Sequence, residues 1–95
     1  MPQFPGGDSA WSRFLADSLR YPKIALNDRI EGTVMVQFIV QPDGTLTDIE
    51  AFSGPRELRE EAERLMKISP KWIPAKQNKS IVKCYQKQAV KFKLK

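Results

Sequence analysis

The stretch TVMVQFIVQPDGTLTDIEAF, residues 33–52, decides the fold. Val34, Val36, Phe38 and Val40 alternate with Thr33, Met35, Gln37 and Gln41, and Ile39 is the exception to the alternation. A period of two sends the two sets to opposite faces, so this is a half-buried antiparallel strand. Pro42-Asp43-Gly44-Thr45 then supplies a residue with preset φ and one that accepts positive φ freely, the composition of a tight reversal. Asp43 is read as a turn former rather than a catalytic acid. The return strand, 46–52, carries Leu46, Ile49 and Phe52 among Thr47, Asp48 and Glu50, a period irregular enough to admit a bulge.

Helices flank this hairpin. Residues 1–7, with Phe4-Pro5-Gly6-Gly7, form an irregular lead-in, and Asp8 suits an N-cap. Trp11, Phe14, Leu15 and Leu19 make one apolar stripe, predicting a helix over about 9–20 that Pro22 ends. Ile24, Ala25 and Leu26 can add a further helical turn. After the hairpin, Gly54-Pro55 opens a second helix with Pro55 at its first position, acids early, Arg64 and Lys67 late, and Pro70 as its stop. Its buried stripe is Leu58, Ala62, Leu65 and Met66. Residues 71–80 read as an ordered crossing with Trp72 packed down, ending in the turn Gln77-Asn78-Lys79-Ser80. In the last strand Val82, Cys84, Val90, Phe92 and Leu94 face one way, and Lys83, Tyr85, Lys87, Lys91, Lys93 and Lys95 the other. Gln86 to Ala89 interrupt the apolar alternation, which predicts a bend or bulge there. The expected fold class is α+β: a small antiparallel three-stranded sheet packed against helices, in the order helix, strand, strand, helix, strand, with residues 8–95 as one domain.

Composition narrows the function. With no histidine and one cysteine, Cys84, neither a Ser-His-Asp nor a Cys-His arrangement can form, and a metal site would have to use carboxylates alone. The expectation is no enzyme, no metal and no cofactor. There is no internal disulfide to fix the redox compartment. No run of about 18 apolar residues and no short apolar stretch behind a basic start is present, so any membrane anchor is expected outside these residues. The net charge of +5 is unevenly spread: residues 1–63 hold six Lys/Arg and eleven Asp/Glu, residues 64–95 ten Lys/Arg and no acid. A basic final third attracts an anionic partner, or keeps an exposed strand edge soluble and unpaired. Trp11 and Trp72 sit in apolar or proline-flanked settings and are read as core. Tyr21, just past a helix end, reads either as a hinge or as an exposed anchor.

The last strand is the feature with a mechanism. Its outer edge, roughly 81–94, leaves main-chain groups free to pair with an extended peptide, taking affinity from backbone hydrogen bonds and specificity from side-chain pockets.

Taken in order, Tyr21-Pro22 with Ala25, Ile30 to Gly32, Val34-x-Val36-x-Phe38-x-Val40, Asp43-Gly44, Ala62, Ser69-Pro70-Lys71-Trp72 with Pro74, and Phe92-x-Leu94 resemble the C-terminal periplasmic domain of TonB, the energy transducer of Gram-negative bacteria. The lead-in and first helix are similar to the form common in Bacteroidetes. The resemblance implies capture of the TonB box of outer-membrane transporters by strand addition, with force from inner-membrane motor proteins driving import of siderophore-bound iron, cobalamin or glycans. It implies partner contacts at Tyr21 and Pro22 and along the edge from Ile81 to Val90, hence Lys83, Tyr85, Lys87, Gln88 and Ala89 as well. It implies a periplasmic location, anchored to the inner membrane through an N-terminal segment outside this chain. Two departures stand out: the turn at 77–80 lacks the usual glycine and proline, and Gln88 stands where proline is frequent. Without that proline the edge can pair more continuously, or favour a homodimer by strand exchange. Two alternatives are a similar domain appended to a membrane sensor peptidase, and a small basic nucleic-acid-binding α+β domain. Against the latter, the lysine face has only Tyr85 as an aromatic and there is no arginine after Arg64, so no nucleic acid is expected.

Overall fold

The computed structural model describes residues 2–94. Three helices and five strands follow in the order α1 (Gly7–Ser18), α2 (Lys23–Asn27), β1 (Gly32–Val40), β2 (Leu46–Ser53), α3 (Arg56–Lys67), β3 (Ala75–Gln77), β4 (Ser80–Val82) and β5 (Cys84–Phe92). The main sheet is antiparallel with β1 in the centre, in the order β2-β1-β5, while β3 and β4 pair as a separate small hairpin. The α+β expectation and its order of main elements hold. The short α2 and the β3–β4 hairpin refine it.

The period-two reading of β1 is realised: Val34, Val36, Phe38 and Val40 are at most 1% exposed on the inner face. Ile39, out of phase, is buried on the outer face, opposite Tyr85 of β5 and Thr47 of β2. The irregular return strand is explained by two register shifts, at each of which β2 carries one residue more than β1. One falls between the pairs Gln37↔Glu50 and Ile39↔Thr47, where Asp48 adopts φ 52. That insertion puts Leu46 and Ile49 on one side despite their odd spacing. The second lies beside Phe52, which ends 39% exposed.

β5 corrects the sequence reading. Its nine pairs with β1 run from Gly32↔Phe92 to Val40↔Cys84 in one unbroken register, so the bend expected at 86–89 is absent. Gln86 and Gln88 continue the inward phase of Cys84 and Val90 in place of apolar residues. The long strand expected from 81 is instead two elements, because Asn78 and Lys79 both take positive φ (51 and 68) and fold 75–82 into its own hairpin.

The caps also differ in detail. Gly6, at φ 88, precedes α1 as its N-cap, and Asp8 lies in the first turn, where it favours the helix dipole without capping by side chain. Pro55 is the N-cap of α3 rather than its first residue. The turn is as expected: Asp43 Oδ1 accepts hydrogen bonds from Thr45 N–H at 3.0 Å and from Thr45 Oγ1 at 2.6 Å. These bonds hold the Asp43 carboxyl below its ordinary range. Their contribution is present at neutral pH and lost as pH falls through that lowered value. Gly44 is packed against the crossing segment: Trp72 N–H donates to its carbonyl at 2.9 Å, and a Cβ there would lie 2.4 Å from Trp72 O.

The inner face is covered by α3, whose Leu58, Ala62, Leu65 and Met66 are essentially inaccessible, and by an aromatic group drawn from three segments. Phe4 of the lead-in is buried there, 5.2 Å from Trp11 and 5.8 Å from Trp72, and Trp72 lies 5.1 Å from Phe38 by ring centroids. Gln3 and Ile73 exchange main-chain hydrogen bonds of 3.0 and 2.8 Å, so the lead-in is part of the fold.

One buried charge ties the helices together. Glu61, 8% exposed, accepts from Arg20 N–H at 2.6 Å and from Arg64 Nε and Nη2 at 2.7 Å each, while Arg64 Nη2 also donates to Ser18 O at 2.7 Å. Glu61→Ala leaves these donors without their acceptor and is expected to cost about 2–3 kcal/mol, short of the fully buried case because Arg64 is partly exposed. Thermal unfolding followed by circular dichroism should show Tm lowered by roughly 10–20 °C.

Candidate functional site

A three-stranded sheet has two edges, and here they differ. The β2 edge is twice bulged, and Ala51 N–H donates at 2.8 Å to Glu63 Oε2 of α3, so the helix occupies part of it. Bulges and covering groups are the means by which an edge is closed to further pairing. Among the described residues the β5 edge has no bulge and no other element on it, and the side chains that bond its carbonyls are its own, Cys84 Sγ to Tyr85 O at 3.3 Å and Gln88 Nε2 to Ala89 O at 3.2 Å. It is straight over nine residues, about 30 Å of extended chain at the usual rise, and no strand lies beyond it among the described residues.

The two faces of β5 are chemically distinct. Tyr85, Lys87 and Lys91 are exposed on the outer face with Ala89 half-buried among them, and Lys83 is exposed just before the strand. Tyr85 is 80% exposed, and Lys87 Nζ lies 5.5 Å from the centre of the Phe52 ring. Gln86 and Gln88 are half-buried on the inner face, and Val90 and Phe92 belong to the core. Val90 therefore has only its backbone to offer a partner. Gln88 Nε2 donates to Ala89 O at 3.2 Å.

The structure brings together most, but not all, of the expected contact residues. Tyr85, Lys87, Gln88, Ala89 and Val90 lie along one strand, with Lys83 just before it. Ile81 does not: it is in β4, opposite Lys76, and 49% exposed. Tyr21 lies at the far end of β5, its ring edge-on to Phe92 at 5.8 Å, and its hydroxyl donates to Ile30 O. It is a strut joining the α1–α2 link to the start of β1 and the end of β5 rather than a free anchor. Pro22, φ −60, is the N-cap of α2. From Phe92 back to Tyr85 is about 23 Å of strand, so Tyr21 and Tyr85 mark opposite ends of the edge. Of the inner-face amides, Gln88 was expected as a contact and Gln86 was not, and sequence reasoning did not place both beside Phe4, Trp11 and Trp72. The signal was the parity of 86 and 88, which an apolar-only pattern discards.

The model of the family described as Gram-negative bacterial TonB protein C-terminal matches residues 17–94. The chain belongs to the TonB C-terminal family. Domains of this family are periplasmic, non-enzymatic parts of the energy-transducing system that interacts with outer-membrane transporters. No curated protein matches the sequence. Among the described residues no helix of this TonB C-terminal domain is long and apolar enough to cross a membrane, and no group of three or more His, Cys, Asp or Glu converges.

The strut role of Tyr21 has a spectroscopic consequence. Burial, and then the negative charge of Glu31, raise its phenol above the ordinary value of 10.0. Folding thus favours the protonated form, a contribution complete below the unfolded value and lost as pH rises through the folded one. In a Tyr85→Phe background the phenolate absorbance should rise only above pH 10.0, and should return to that value when the chain is unfolded in denaturant. Tyr21→Phe should cost about 1 kcal/mol in urea unfolding through loss of the bond to Ile30 O.

Proposed function

We propose that this domain captures an extended segment of an outer-membrane transporter, the TonB box, as a fourth strand along β5, and that it passes force from inner-membrane motor proteins to the transporter for import of cargo such as siderophore-bound iron. The observation that carries this reading is the asymmetry of the edges, with β2 bulged and bonded by a side chain of α3, and β5 straight with no other element along it among the described residues. An added strand there gains main-chain hydrogen bonds along its whole length. Pulling parallel to the strands loads those bonds together rather than one at a time, which suits a tether under tension. The lysines of the outer face favour a peptide with acidic residues on that side.

Strand addition predicts a period-two response to loss of peptide amides. In an extended transporter N-terminal peptide, N-methylation of every second residue removes the donors that face β5, and the complementary set removes only solvent-facing ones. One set should abolish binding and the other should leave most of it, with amide shifts of the labelled domain concentrated at residues 84–92. Equal sensitivity of the two sets, or a salt-sensitive response to single-stranded oligonucleotide alone, would reject the reading.

The free edge is also where a second copy would pair. In an antiparallel β5–β5 contact the lysines of one copy approach those of the other, and like charges across a ladder destabilise it. Sedimentation equilibrium should therefore find the domain more monomeric at low salt than at high salt, where the repulsion is screened.

A further inference from the structure

A cavity of about 380 Å³ opens beside β5, lined by Phe4, Trp11 and Trp72, by Gln86 and Gln88 from the inner face of the strand, and by Asp8 at the start of α1. Its aromatic side is held in place before any ligand arrives, by the edge-on contacts of Phe4 with both indoles and by the main-chain bonds between Gln3 and Ile73. Residues directly opposite on neighbouring strands lie on the same face with their Cβ atoms about 5 Å apart. A strand added to β5 must therefore place the side chain opposite Gln86 or Gln88 towards this cavity.

We propose that the cavity is a side-chain subsite that selects one long cationic residue, arginine or lysine, on the inner face of the added strand. The proposal rests on the strand-addition reading and adds to it the identity of the residue that is read. Asp8 is exposed, is the sole charged residue among the described lining residues, and has no ion-pair partner among them. Of the three rings, Phe4 and Trp72 are buried and supply an apolar wall, the half-exposed Trp11 indole suits an aliphatic stem and a cation, and the Gln86 and Gln88 amide oxygens can accept from its end group. An acidic residue in this position would meet Asp8. On the outer phase the signs are reversed, because the neighbours there are Lys83, Lys87 and Lys91. One strand thus presents an acid-lined slot on one face and a row of lysines on the other. A slip of one residue moves the peptide's cation from Asp8 to the lysines, so the pair of fields fixes register as well as composition.

The test uses the 95-residue chain and a capped ten-residue Thr/Val host peptide, with arginine, norleucine or glutamate stepped along it, and reads affinity by calorimetry and binding site by amide shifts. Arginine should help at alternate positions only, binding about tenfold more tightly than norleucine at the best of them, with glutamate weakest there. Asp8→Asn should erase most of that preference without changing the norleucine peptide, and Gln88→Glu, which adds a second acid to the slot, should enlarge it. If all peptides shift β5 but arginine, norleucine and glutamate bind alike at every position, cationic selection is overturned and strand addition survives. If no peptide shifts β5, both fall.

Discussion

Everything in this domain is referred to β1. It is the central strand, and its four inward residues are fully buried. It lies in register with β5 over nine residue pairs and tolerates two insertions in β2 on the other side. A strand pinned on its inner face cannot slip by one residue without turning Val34, Val36, Phe38 and Val40 to solvent, which would forfeit about 1.5–3 kcal/mol for each large side chain. The two outer strands are therefore free to differ. β2 absorbs extra residues and bends under α3, while β5 stays straight because its register is copied from β1.

That difference gives the molecule a direction. The β2 side carries α3 with its acidic first turns and the Glu63 carboxylate on Ala51 N–H; the β5 side carries the lysines and the free main-chain groups. Separation of charge within the chain thus maps onto the two edges of the sheet rather than onto two lobes. An anionic or acidic segment approaching in solution is drawn to the edge able to pair with it, and the other edge is closed both by shape and by sign.

Much of this was legible in the sequence, for physical reasons that can be named. The 33–52 stretch is fixed by alternation and a proline-glycine turn, both local and strong signals, and α3 by its stripe and charge gradient. The broken period of 46–52 pointed to a bulge, and a left-handed Asp48 supplies one. What failed did so because the deciding terms are not local. Glutamines at 86 and 88 look like an interruption until β1 imposes its register on them. The hairpin at 75–82 depends on Asn78 and Lys79 accepting positive φ, which their identities permit without requiring. Tyr21 read either as a hinge or as an anchor, and nothing in Tyr-Pro announces its bond to Ile30 O or its contact with the Phe92 ring. The lead-in looked irregular because its order comes from Trp72 and Ile73, about 70 positions away.

The same distant contacts bear on how a load would travel. On the proposed reading a pulled peptide hands its tension to β5 through a ladder no longer than β5 itself. From β5 the tension passes to β1 through nine register pairs backed by buried Val90 and Phe92, and at the strand's end through Leu94 N–H donating to Glu31 at 2.8 Å. The inner ladder has burial added to its hydrogen bonds, whereas the outer one has mainly hydrogen bonds and whatever the side chains on its two faces contribute. Loaded in series, the outer ladder is the weaker link. The domain would release its partner before it lost its own edge strand, and the strength of the grip would then be set by the side chains that the added strand places against Asp8 on one face and the lysines on the other.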